Sequence, residues 1–174
     1  MTRASANVKA RQAASKRPRR RGERYPSPAV TLFPMTDLAE KSKALLRRIT
    51  DEIWTGGRLD LVDELIAEDF TDHVELPGLE ERGRRRYRTS VEMVRQAFPD
   101  YREEILWMVG EDDRAVSYVR STGTHGGPLH GIEPTGRTVR WHSMGGLRFA
   151  RGQAVERWGV GDSLAMLRQL GLFG

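Results

Sequence analysis

The 174-residue chain has room for one domain plus an appendage, and its lack of cysteine excludes disulfides, thiolate zinc sites and cysteine nucleophiles. No apolar run approaches the ~18–20 residues needed to span a bilayer. The net charge of +5 is unevenly spread: residues 1–34 hold nine basic residues and one acid, which leaves the other 140 residues at −3.

The basic character therefore belongs to the tail and not to a folded face, so nucleic acid is not an expected partner, and only the tail could bind it. Residues 1–34 are rich in Arg, Ala, Ser and Pro without apolar periodicity, which reads as a disordered basic leader. Met35, followed by the helix-capping pair Thr36-Asp37, reads as an alternative start, in which case the leader is a start-site artefact. The functional alternative is a polybasic arm centred on Arg17 to Arg21. Arg19-Arg20 is not followed by an apolar stretch, which argues against a secretory signal and for a cytoplasmic protein.

From Met35 the chain reads as one domain, residues 35–174. Thr36 or Asp37 caps a first helix whose apolar positions Leu38, Leu45, Leu46, Ile49, Ile53 and Trp54 form a stripe, ended by Gly56-Gly57. Asp60 caps a short second helix carrying Leu61, Leu65 and Ile66. Residues 70–76 read as a short extended piece, broken at Pro77-Gly78. A third helix is expected over 84–97, with Arg84, Arg85 and Arg86 on a solvated face.

The period then changes to two. Strands are expected over 101–109, 115–124, 138–149 and 153–160, with a Gly/Pro-rich loop at 126–136 and a hairpin turn at Arg151-Gly152. Asp162 or Ser163 caps a final helix carrying Leu164, Leu167 and Leu170, ended by Gly171. Helices followed by an antiparallel meander give an α+β class. A curved antiparallel sheet wrapped by three to four helices makes a cone with an internal cavity, a natural small-molecule site.

Ordered short signals fall along this frame: Phe98-Pro99-Asp100, Gly123-Thr124-His125-Gly126, Pro134-Thr135-Gly136-Arg137, Glu156-Arg157-Trp158 and Gln169-Leu170-Gly171. In order and spacing they resemble the SnoaL-like polyketide cyclase family, within the nuclear transport factor 2-like superfamily, over residues 38–171. The resemblance implies a cone-shaped α+β barrel, usually dimeric, with a small-molecule pocket that needs no cofactor. The family's cyclases close a ring by intramolecular aldol condensation: a base removes an acidic proton beside a carbonyl, and a donor stabilises the enolate.

The resemblance places the family's acid/base aspartate directly after Trp158, where this chain has Gly159. A second polar pocket residue belongs three positions before Arg148, where this chain has Gly145. Glycine transfers no proton. The remaining candidates for catalysis are His73, His125 and Asp162. His73 reads as a pocket base or as an interior histidine bonding backbone. His125 reads as a pocket donor or as a loop anchor, and Asp162 as a substitute carboxylate or as a helix N-cap.

Alternation puts Trp141, Ser143 and Leu147 in phase with Gly145, so these four and Gly159 are the expected ligand-binding residues. Trp158 is out of phase with Gly159 and reads as core packing, while His142 and Arg148 point outward, where a second subunit would sit. The four histidines lack the spacing of a zinc site, so no metal is expected, and Gly126-Gly127 lacks the residues of a phosphate loop. Two readings of function remain: a cyclase or isomerase acting on an apolar oxygenated ligand, and a non-catalytic ligand-binding or assembly module. A third, epoxide hydrolysis through an Asp-Arg-Asp array, needs Asp72 or Asp162 paired with an arginine.

Overall fold

The computed structural model describes residues 37–76 and 78–172. The readings made for residues 1–34, Met35, Thr36 and Pro77 lie outside them. Helix α1 (Asp37–Arg48) carries Asp37 and Glu40 in its first turn and Arg47 and Arg48 in its last, which complements the helix dipole. It runs on into a π-helical turn, Ile49–Thr55, closed where Gly56 N–H donates to Asp51 O at 3.0 Å. Gly57 then reverses the chain at φ 70.

A 3-10 turn (Leu59–Leu61) and the short helix α2 (Val62–Leu65) lead into strand β1 (Ile66–Asp72). Next come α3 (Gly83–Ala97), β2 (Arg102–Glu111), β3 (Arg114–Thr124), β4 (Thr138–Ala150), β5 (Gln153–Gly161) and α4 (Ser163–Leu170). Ile66 begins the strand instead of ending the helix: it is β-branched, extended (φ −115, ψ 129) and fully buried against Ala154 of β5. The extended piece expected at 70–76 therefore starts earlier. Beyond Asp72 the chain leaves the sheet.

The sheet order is β1-β5-β4-β3-β2. Strands β2 to β5 form the expected antiparallel meander, whereas β1 joins the edge parallel to β5. That parallel pair exists because α3 and three strands separate β1 from β5, so the last strand returns beside the first in the same direction. The sheet stays open, with β1 and β2 as its edges. Inward residues of α1, the π turn, α2 and α3 (Leu46, Ile49, Ile53, Val62, Leu65, Tyr87, Val91) pack with Phe70, Leu147, Phe149 and Ala154 into one core. A second cluster (Phe98, Tyr101, Leu129, Val139, Leu170) seals the other end.

The resembling motifs prove to be ties between elements. Asp100 accepts hydrogen bonds from Thr124 N (2.6 Å) and Thr124 Oγ1 (2.8 Å), joining the turn before β2 to the end of β3. Gln169 accepts from Arg140 N at 2.9 Å and donates to Arg140 O at 2.7 Å, which locks α4 to β4. Gly127 passes so close to α3 that a Cβ there would lie 2.0 Å from Gln96 O. Gly171 ends α4 at φ 88, where its N–H caps Arg168 O.

Candidate active site

A cavity of about 240 Å³ lies between the helices and the inner face of the sheet. Its aromatic lining is Trp54, Tyr87, Tyr101, Trp141 and Trp158. Trp54 meets Tyr87 edge-on at 5.8 Å and Tyr101 at 6.3 Å, and Tyr101 meets Trp141 at 5.8 Å. The π turn helps to place Trp54. Its carbonyl and that of Thr55 each accept from Arg95 Nη1 of α3 at 3.0 Å. The segment after β1 contributes Val74 and Leu76.

Two charged residues face this apolar space, Glu103 of β2 and Arg157 of β5. Thr55 fixes the start of β2, its Oγ1 accepting from Glu103 N at 3.0 Å. The Glu103 carboxylate accepts from Tyr101 Oη at 2.6 Å, and that hydroxyl also lies 3.2 Å from Ser121 Oγ. Burial pushes the Glu103 carboxyl up to about 7, against the lowering effects of the Tyr101 hydrogen bond and the Arg157 charge. Burial, followed by the neighbouring Glu103 charge, raises the Tyr101 hydroxyl well above its ordinary value.

Arg157 is held by Asp72 of β1, directly opposite in register. Nε donates to Oδ1 at 2.9 Å and Nη2 to Oδ2, a two-pronged pair whose carboxylate is wholly sealed from solvent. The guanidinium sits 5.1 Å over the Tyr87 ring and 5.8 Å from that of Trp54. Arg86 of α3 brings its Nε to 3.6 Å from Asp72 and donates to the carbonyls of Val74 (2.8 Å) and Leu79. Arg86 thus points inward, unlike the solvated face expected for it.

The expected ligand-binding residues Trp141, Ser143, Gly145, Leu147 and Gly159 all line the cavity. Gly145 and Gly159 lie opposite each other in register. A Cβ at Gly145 would enter open space, with nothing nearer than 3.9 Å, whereas one at Gly159 would meet Val74 Cγ2 at 3.3 Å. The room left by Gly159 is therefore taken by Val74, and only Gly145 widens the cavity.

The three expected catalytic residues lie outside the lining. His73 is two-fifths exposed, stacks on Trp158 at 5.0 Å, and bonds Glu156 Oε1 through Nε2 at 3.0 Å. Consecutive strand residues face opposite ways, so inward Asp72 turns His73 outward. Hydrogen bonds from His73 and then from Arg148 hold the Glu156 carboxyl below its usual range. Trp158 is 40% exposed and is not core, which corrects the packing expected for it. His125 is fully buried as a loop anchor, accepting at Nδ1 from Thr135 N at 3.2 Å. Asp162 caps α4, its Oδ1 accepting from Ala165 N at 2.9 Å.

Glu103 and Arg157 were both within reach of alternation. Glu103 shares the inward phase of Ile105, and Arg157 that of Gly159; a charge on an apolar phase is the signal in each case.

An open α+β cone with one charged, aromatic-walled cavity defines a small-molecule pocket protein. The chain belongs to the SnoaL-like polyketide cyclase family, whose model matches residues 44–170. It is similar in structure to TsrD from Streptomyces laurentii (22% identity, TM-score 0.69, covering 77% of this chain and 97% of that one). It is also similar to AclR from Streptomyces galilaeus, described as a candidate hydroxylase (28%, 0.67, 79% and 88%). IdmH from Streptomyces antibioticus, described as a candidate polyketide cyclase, is a third (27%, 0.65, 75% and 98%). No curated protein sequence matches the chain.

Two stability predictions follow from these charges. Asp72→Ala leaves Arg157 buried without a partner and is expected to lower unfolding free energy by about 3–5 kcal/mol in urea titrations. Glu103 has a raised folded-state value, so its contribution is complete below about pH 4.5 and is lost as pH rises through about 7. Glu103→Gln should therefore match the parent near pH 4.5 and exceed it by up to about 3 kcal/mol at pH 8, as read by melting curves across pH.

Proposed function

We propose that the chain is a cofactor-free enzyme of the cyclase or isomerase type, acting on an apolar oxygenated organic ligand, with Glu103 as its proton-transfer group. One observation carries the reading: a carboxyl whose value burial raises to about 7, lining an aromatic-walled cavity beside Tyr101. A general base works best when its pKa lies close to the working pH. Tyr101 orients the carboxylate, leaving its second oxygen for the ligand. Family membership and the likeness to IdmH support the same chemistry.

Two competing readings weigh less. Epoxide hydrolysis needs two carboxylates around one water, but Asp72, though paired with an arginine, is sealed off and does not line the cavity. A purely binding module gives no reason to keep a buried carboxyl with a raised pKa where a neutral side chain would be more stable.

The test uses a small 1,3-diketone in heavy water, with exchange of its activated C–H followed by NMR. Exchange should accelerate as pH rises through about 7, and Glu103→Gln should slow it by roughly a hundredfold or more. Equal rates in both proteins would return the chain to the binding-module reading.

We also propose that the outer sheet face pairs with a second copy. Trp107, Val109, Met144, Trp158 and Val160 are exposed there, Val160 at 72%, and Met144, Trp158 and Val160 also border the cavity. Rings of Trp107, Tyr118 and His142 stack across three strands at 5.6 and 5.3 Å. The ion pairs Arg120–Glu104 and Arg148–Glu156 bring both charge signs to this face, as two-fold self-pairing requires. Val160→Glu should convert a dimer to a monomer in light scattering while leaving the fold intact.

A further inference from the structure

We propose that Arg157, held by Asp72, is the oxygen-binding donor of the cavity, and that its ligand enters uncharged with a carbonyl oxygen that becomes anionic during the reaction. The proposal rests on the reading of Glu103 as proton acceptor.

Asp72 occupies Nε and Nη2 of the guanidinium. Nη1 makes no hydrogen bond to any described residue, yet it is not sealed: among the described residues the buried unpartnered side-chain atoms are Arg86 Nε and His125 Nε2. Arg157 lines the cavity and keeps 12% of its side chain exposed, so Nη1 is a charged donor left for a ligand. Its plane is fixed by the two-pronged pair and by the Tyr87 and Trp54 rings, which makes Asp72 a positioning residue. Tyr87 supplies a second donor: its hydroxyl oxygen accepts from Trp54 Nε1 at 2.7 Å, and its own proton has no acceptor among the described residues.

Charge selects the ligand class. Asp72 is shared between Arg157 and Arg86, and Glu103 is the one acidic side chain among the described residues lining the cavity. When a C–H beside a carbonyl breaks, the proton forms an O–H bond with Glu103 and the electron pair moves onto the carbonyl oxygen. The negative charge passes from Glu103 to the ligand, where Nη1 receives it, and the net charge of the site is unchanged. A ligand that brought its own carboxylate would put a second negative charge beside Glu103 and favour its protonated, idle form.

The probe is 4-nitrophenol, which ionises near neutrality and whose anion absorbs visible light. Bound to the full chain, it should be present as phenolate. The double variant Asp72→Asn/Arg157→Met, which removes both charges together, should bind the phenolate about ten- to a hundredfold more weakly. Glu103→Gln should retain or tighten phenolate binding, since it removes a negative neighbour. If the double variant does not fold, a crystal structure of the unaltered chain with the phenolate decides: oxygen within hydrogen-bond distance of Arg157 Nη1 supports the proposal, and oxygen elsewhere overturns it. Phenolate binding unaffected in a folded double variant also overturns it, while diketone exchange lost in Glu103→Gln would leave the acid–base reading standing. Exchange that persists in Glu103→Gln beside Arg157-dependent phenolate binding would sink the acid–base reading and keep the oxygen site.

Discussion

The buried pair between Asp72 and Arg157 is the constraint on which the rest of this site depends. It joins the edge strand β1 to β5 from inside the cone, at the point where the two strands run parallel and in register. Arg86 extends the tie to the segment beyond β1, pinning the carbonyls of Val74 and Leu79, and so sets the cavity wall that Val74 and Leu76 form. A buried ion pair is seldom the most stable choice, because desolvation offsets most of its attraction and an apolar pair of equal volume would serve as well. Its place at the cavity surface, with one guanidinium nitrogen left over, connects the cost to ligand binding and not to folding.

The second charge depends on a local irregularity. A regular helix would carry α1 straight on, but the π turn widens it at Ile49–Thr55 and puts Thr50 and Trp54 against the cavity. The same turn holds the backbone of Glu103 through Thr55, and its Asp51 adds a small upward push to the Glu103 carboxyl. Glu103 thus lines the cavity alongside Trp54 and Tyr101, is held by the Tyr101 hydroxyl, and shares the cavity with Arg157. Each neighbour acts on both the position of the carboxyl and its affinity for a proton.

The elements were legible in the sequence because they rest on local rules. Period-two alternation marks β2 to β5, Asp162 and Gly171 bracket α4, and Gly56-Gly57 stops the first helix. The parallel edge and the early start of β1 were not legible, since both come from pairing with β5, far along the chain. That Trp141, Ser143, Gly145 and Leu147 share the cavity-lining face followed from phase. The polar site did not, because histidine drew the argument by its intrinsic pKa while Glu103 gains its reactivity from burial. Two histidines that looked chemical do not line the cavity themselves: His73 is held by Glu156 and by the cavity residue Trp158, His125 by Thr135.

The proposed function places its polar groups away from Gly159, where the resemblance led to the expectation of an aspartate. In the family pattern both polar groups stand on the paired strands β4 and β5. The proposed proton acceptor on β2 and the proposed oxygen donor on β5 are separated by β3 and β4. A ligand engaging both has to lie across those middle strands, over Ser117, Val119, Ser143 and Gly145, all of which line the cavity. A side chain at Gly145 would project into the open space on that path, while a Cβ at Gly159 would press against Val74 at 3.3 Å. The two glycines and the displaced carboxyl are then parts of one arrangement: once the base stands on β2, the surface between base and oxygen donor has to be flat, and glycine at 145 keeps it so.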